Sequence, residues 1–429
     1  MALSRRDMLR LGVIGLAHPL LPMRGIVSQV FAAPGAADAK FLLVFLRGGY
    51  DAANVLIPIG SSAYYELRPT IAIPKPNPSD PLSAISLAGP TDAAVWGMHP
   101  ALKSMVPFWK SGQLAFVPFA GSEDLTRSHF ETQDSVEGGL PIAKPGTPQG
   151  ATPLGYGSGF LNRLASALDG TAAPVSFTDG LPVVMSGGIS VPNVSLKGTA
   201  KAPFDDRQIG ILSRMYAGTR FEPLIAEGFG LRKTVAEQAE AMAKADAGAA
   251  MSAEMIAANR NAITAKGFEL EARRMAGLMR DKYNVGFIDV GGWDTHVNQG
   301  NAQGQLANLL TNLSQGLAGF ADQMGAAWKQ TVVVVISEFG RTFKENGTRG
   351  TDHGHGSAYW VMGGAIRGGR IVGEQVAVEP KTLNQNRDFP VLTEYRAMLG
   401  GIFKRMYQLD PNRIEQVFPN SVPADLDLV

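Results

Sequence analysis

Long apolar runs alternate along this chain with stretches of helical periodicity. Residues 40–46 (KFLLVFL), 114–120 (LAFVPFA), 285–290 (VGFIDV) and 331–337 (TVVVVIS) are nearly unbroken apolar runs, each followed by glycine or polar residues. Runs of this length, bounded by turn residues, predict strands buried on both faces, the habit of parallel sheets. SAYWVMGG at 357–364 predicts a further strand and turn. Between them, residues 303–329 predict a long helix, VLTEYRAMLGGIFKRMY (391–407) an amphipathic one, and the region from His99 a short helix before the second strand. The alternation predicts an α/β fold, a mostly parallel sheet covered by helices on both faces. Residues 138–205 are rich in Gly, Pro, Ser and Thr, with short candidate strands at PVSF and PVVM, and residues 206–282 are strongly helical in composition. Residues 138–282 therefore read as an accessory or lid insertion within a domain spanning 40–429.

The chemistry-bearing residues fall just beyond the strands. Asp51 follows the first run; Asp294 and His296 follow the third; Glu338 and Arg341 follow the fourth; Asp352, His353 and His355 sit in GTRGTDHGHG (347–356). In parallel sheets, strand ends converge on one edge, where ligands bind. Asp294 and His296 are two apart, as are His353 and His355, so on extended backbone each pair projects to one side. Imidazole and carboxylate suit a divalent metal, and two of the six histidines fall within three residues in the Asp-His-Gly-His run. The plain readings are a turn role for Asp51 and an ion pair between Glu338 and Arg341. In TRSHFETQD (126–134), Ser128 or Thr126 can cap a helix beginning near His129, where a helix start suits an anion or an activated hydroxyl. His129 reads equally as a group orienting Ser128, a metal ligand or a helix-start surface residue, and His99, ahead of Pro100, as structural.

Composition narrows the choices. With no cysteine, the chain has neither disulfides nor thiolate sites, so any metal must sit on histidine and carboxylate. Formal charge is +1, and residues 1–39 contribute two net positive charges, leaving −1 for the remainder. That balance gives no sequence-wide attraction to nucleic acid or to anionic membrane. The first residues, SRRDMLRLGVIGLAHPLLP, carry paired arginines and an apolar run broken by His18 and Pro19, too short for a stable membrane anchor. Small residues in VFAAPGAADA follow. Residues 1–39 resemble a twin-arginine signal peptide, which implies the twin-arginine export machinery as a partner and a periplasmic or secreted destination.

FLLVFLRGGYDAANVLIP, HPAL, SGQLAFV, TRSHFETQD, GGWDTHVNQ, SEFGR and GTDHGHG, in that order, resemble the DUF1501 family of exported bacterial proteins. The family's fold is similar to that of the alkaline phosphatase and sulfatase superfamily. The resemblance covers nearly the whole chain after residue 40, loosely between about 140 and 280. It implies an alkaline-phosphatase-like core with one or two divalent ions, zinc, manganese or iron not being distinguished. Carried over, Asp51 matches the aspartate after the first strand, Ser128 the nucleophile position with Thr126 as rival, and Asp294 and His296 one ligand pair. Asp352 and His353 match an Asp-His pair, completed by His355 or Glu338, and Arg127 or Arg341 would hold an ester oxygen. The superfamily often spaces such pairs by four rather than two, and Glu338 and Asp352 compete for one role. No Cys or Ser motif followed by Pro and Arg at sulfatase spacing is present. The implied activity is metal-dependent hydrolysis of a phosphate or related ester, of small-molecule or polymer substrate. The alternative is a binding or assembly protein of the cell envelope that retains metal without turnover.

Overall fold

Among the described residues, the apolar runs become the middle of one nine-stranded sheet. A computed structural model describes residues 38–87, 95–142, 157–196, 206–219, 222–223, 225–226, 259–260 and 262–429. The export-signal reading of residues 1–39 therefore lies almost wholly outside the described residues, as does much of 138–282. The sheet comprises β1 (Lys40–Leu46), β2 (Leu114–Gly121), β3 (Pro174–Ser176), β4 (Ile263–Thr264), β5 (Val285–Gly291), β6 (Thr331–Ser337), β7 (Ser357–Met362), β8 (Arg370–Ile371) and β9 (Thr393–Glu394). Its order is β8-β2-β7-β6-β1-β5-β3, with β9 also on β2 and β4 also on β5. Every pairing is parallel except those of β7, which runs against both β2 and β6. The expected strand at PVSF is β3, whereas PVVM forms a 3-10 turn, Val183–Met185.

Each residue of β1 beyond Lys40 is buried, and its side chains alternate between two cores. Leu42, Val44 and Leu46 pack with helices α3 (Phe268–Asp281) and α4 (Gln305–Met324), whereas Phe41, Leu43 and Phe45 belong to the core formed with α2 (Phe160–Ala167), α5 (Tyr395–Tyr407) and α6 (Pro411–Val417). Phe41 meets Phe403 edge to face at 4.9 Å. On α4, Leu306, Leu310, Leu313, Leu317, Phe320 and Met324 recur at helical spacing and are all buried. Burying each contributes about 2 kcal/mol, and truncating Leu313 to Ala would cost roughly 3 kcal/mol. Helices thus cover both faces, and the edge formed by the strand ends is left to carry chemistry. No helix among the described residues is long and apolar enough to cross a membrane.

Candidate metal centre

Strand register sets the site. Leu46 of β1 aligns with Val290 of β5 and with Ser337 of β6, so three strands end level. Because β7 runs the other way, the segment ahead of it, with Asp352 and His353, arrives at the same edge. Gly48 has φ +120°, and a Cβ there would lie 2.6 Å from the Asp294 backbone nitrogen. Only glycine lets the end of β1 press this closely on the Asp294 turn. Gly354 serves likewise in the histidine loop, since a Cβ would lie 2.5 Å from the Arg341 backbone.

Asp294 is the hub. Its Oδ1 lies 2.9 Å from His296 Nε2 and 3.3 Å from His353 Nε2, and its Oδ2 lies 3.6 Å from His129 Nε2. Arg341 Nη1 donates to Oδ1 at 2.5 Å. Each histidine is held from behind through Nδ1. His129 meets Glu338 Oε1 at 2.8 Å, His296 meets Asp352 Oδ1 at 3.2 Å, and His353 meets the Arg127 carbonyl at 3.0 Å. These acceptors place a hydrogen on every Nδ1 and aim every Nε2 at Asp294.

The donor set fits a divalent metal ion. His129 Nε2 is buried with no hydrogen-bond partner among the described residues, and His296 Nε2 and His353 Nε2 stand 3.1 Å apart. Two ring nitrogens that close need a cation between them, a proton or a metal. Suitable ligand atoms of His129, Asp294 and His353 all lie within 4.8 Å of one another. Two imidazole nitrogens and a carboxylate, with His296 Nε2 adjoining at Asp294 and His353, suit a divalent ion such as zinc, manganese or iron.

Electrostatics agree. Burial pushes Asp294 upward, but His129, His296, His353 and Arg341 hold it far below the usual carboxylate range. Burial also pushes His129 down, and the flanking Asp294 and Glu338 carboxylates overcome it, raising the ring to about 9. Burial likewise raises Glu338, yet its bonds from His129 and Gln133 keep it at about 2. The site is thus a concentration of fixed negative charge, sealed at His129 and opening to solvent at His296 and His353.

The other sequence candidates take supporting positions. Glu338 is fully buried and accepts at Oε1 from Gly48 N, His129 and Gln133 Nε2, and at Oε2 from Ser337, which leaves it behind His129 rather than facing Asp294. Asp352 accepts from His296 and Asn346. Asp51 is gripped by Arg68 at 2.5 and 3.0 Å and by Gln299 at 2.6 Å. The chain bends at His355, so the projection expected beside His353 is not realised. Burial pushes His355 down; a bond to the Asp124 backbone, with Asp388 and Arg127 nearby, forms its surroundings.

Ser128 is the N-cap of α1 (His129–Gly138), and its side chain makes no capping bond. It is half-buried and adjoins His129. Thr126 accepts from Ser128 N, a loop contact. Arg127, at φ +55°, gives its side chain to Gln385 and Asp388 and its carbonyl to His353. Arg341 is buried and donates to Asp294, Gly48 and Thr351. His99 is buried, its Nδ1 accepting from Ala101 N and its Nε2 donating to the Asn301 carbonyl.

His129 was the residue that sequence left most open, and Arg68 and Gln299 carried no signal in it. A usable clue was the spacing of His129 and Gln133, one helical turn apart, since both meet Glu338.

Comparison with known proteins gives the family. A family model described as "Protein of unknown function (DUF1501)" matches residues 38–418. No curated protein matches the chain. Among solved structures, it is similar to a protein in the alkaline phosphatase superfamily from Vibrio parahaemolyticus, at 10% identity and TM-score 0.35, over 83% of this chain and 69% of that one. It is also similar to a mutant of TAB5 alkaline phosphatase with Mg bound, at 10% identity and TM-score 0.30, over 88% of this chain and 97% of that one.

Proposed function

We propose, from the premise that this chain belongs to the DUF1501 family, that it is an exported hydrolase of phosphate or related esters. Its metal would be held by Asp294 and by the Nε2 atoms of His129, His296 and His353. The observation that carries this reading is the convergence of those three nitrogens on one carboxylate, with His129 Nε2 buried and unpartnered among the described residues. A divalent ion there supplies positive charge that acidifies a neighbouring hydroxyl or water and neutralises oxyanion charge.

The chain's own residues divide the remaining work. Ser128, uncommitted as a cap and adjacent to His129, is the hydroxyl we assign to attack on an ester. The Arg127 carbonyl fixes the His353 ring, and Asp388 and Gln385 hold Arg127 in its positive-φ conformation. Arg341, buried and bonded to Asp294 and Thr351, orients Asp294. The order of basic, apolar and small residues in 1–39 supports export.

The test is elemental analysis of protein purified without added metal or chelator, wild type beside His353→Ala, followed by a panel of phosphate mono- and diesters. Zinc, manganese or iron lost in the variant, together with chelator-sensitive turnover, is the expected result. Metal-loaded protein inert across the panel sinks the hydrolase reading, and protein that refuses all added metal sinks the site as well.

A further inference from the structure

The carboxylates around the centre already have cations of their own. Asp51 is paired through both oxygens with Arg68, a side chain that is itself fully buried. Asp294 Oδ1 is paired with Arg341, also buried. The two pairs are joined: Gln299 donates to Asp51 and accepts from Thr351 Oγ1, which accepts in turn from Arg341 Nε. Nearby Asp388 belongs to a separate group, with Arg127 and Arg387 as its partners.

We infer that the centre takes a single divalent ion, with the guanidinium groups of Arg341 and Arg68 standing where a second ion's charge would otherwise be needed. The inference rests on the metal-binding reading above and adds the ion count. Four carboxylates, Asp51, Asp294, Glu338 and Asp352, face two guanidinium groups, Arg68 and Arg341, leaving a charge of −2 with neutral rings. One divalent ion neutralises that charge. A second would leave +2 among largely buried groups, a cost the site has no anion to offset. Nor do the other groups assemble a second set of ligands: Asp51 and Glu338 already accept from protein donors, His355 has turned towards Asp124 and Asp388, and among the described residues the one group gathered closely enough to hold an ion is His129, Asp294 and His353.

The experiment is a calorimetric titration of the metal-stripped full chain with zinc, with retained metal counted by mass spectrometry after desalting. One equivalent is expected, and two overturn the inference while leaving the metal site standing. Zero equivalents overturn the site and the inference together. In Arg341→Gln, which keeps hydrogen-bonding capacity without the charge, zinc binding should tighten at least about tenfold or a second equivalent should enter. Unchanged or weaker affinity at an unchanged count would show that the guanidinium is not the stand-in. If that variant does not fold, the wild-type count alone decides.

Discussion

His296 Nε2 lies 3.1 Å from His353 Nε2 while both rings give their Nδ1 hydrogen to fixed acceptors, Asp352 and the Arg127 carbonyl. The fold holds two like-polarised nitrogens face to face, and a cation relieves the opposition. Metal should therefore stabilise the native state. At a free zinc concentration about a hundredfold above Kd, the gain is about 2.7 kcal/mol. Thermal unfolding of stripped and reloaded protein should show a higher Tm on reloading, and His353→Ala should abolish most of the rise. Identical melting curves would count against the centre.

Glu338 and Asp352 support different histidines from different environments. Glu338 is wholly buried, whereas the Asp352 side chain is half exposed. Glu338→Gln should weaken metal binding by about 10- to 100-fold, because His129 loses the charge that orients it. Asp352→Asn should have the smaller effect, since water screens its contact. Competition against a chelating dye measures both, and a reversed order would contradict the roles assigned here.

Ser128 makes no capping bond, so its hydroxyl can be removed with little structural consequence. Ser128→Ala should change stability by less than about 0.5 kcal/mol and leave metal content intact. Turnover of a responsive ester should nevertheless drop by at least about a hundredfold. Wild-type rates in the variant would mean that the attacking oxygen comes from water.

His99 offers a pH test away from the centre. Burial lowers it to about 4, against the partial opposition of its bond to Asn301 and of Asp51. The unfolded chain binds this proton more readily, so the contribution is complete above the unfolded value of about 6.5 and is lost as pH falls towards 4. Between about pH 7.5 and about pH 5 the loss is roughly 2 kcal/mol. Asparagine can keep the cap to Ala101 without titrating, so His99→Asn should flatten this part of the pH profile in urea unfolding. An unchanged slope would assign the acid sensitivity elsewhere.

The central strands were legible in sequence because parallel strands buried on both faces need unbroken apolar runs, as β1 and β6 display. The pairing of Asp294 with His296 was legible for a local reason, since two residues in a tight turn after a strand cannot separate far. The role of each remaining carboxylate was not. Whether an acid faces a metal or backs a histidine depends on which donors reach it, and those donors come from distant segments.

Glu338 meets His129 across 209 residues and Gly48 across 290, whereas Gln299 reaches Asp51 across 248. Sequence by itself determined which residue types gather at the strand ends. Tertiary structure decided that Arg68 takes Asp51, that Glu338 stands behind His129, and that the bend at His355 parts it from His353. The physical reason is that a carboxylate's role is set by the charges and hydrogens packed against it, and packing is decided only when the edge of the sheet is assembled.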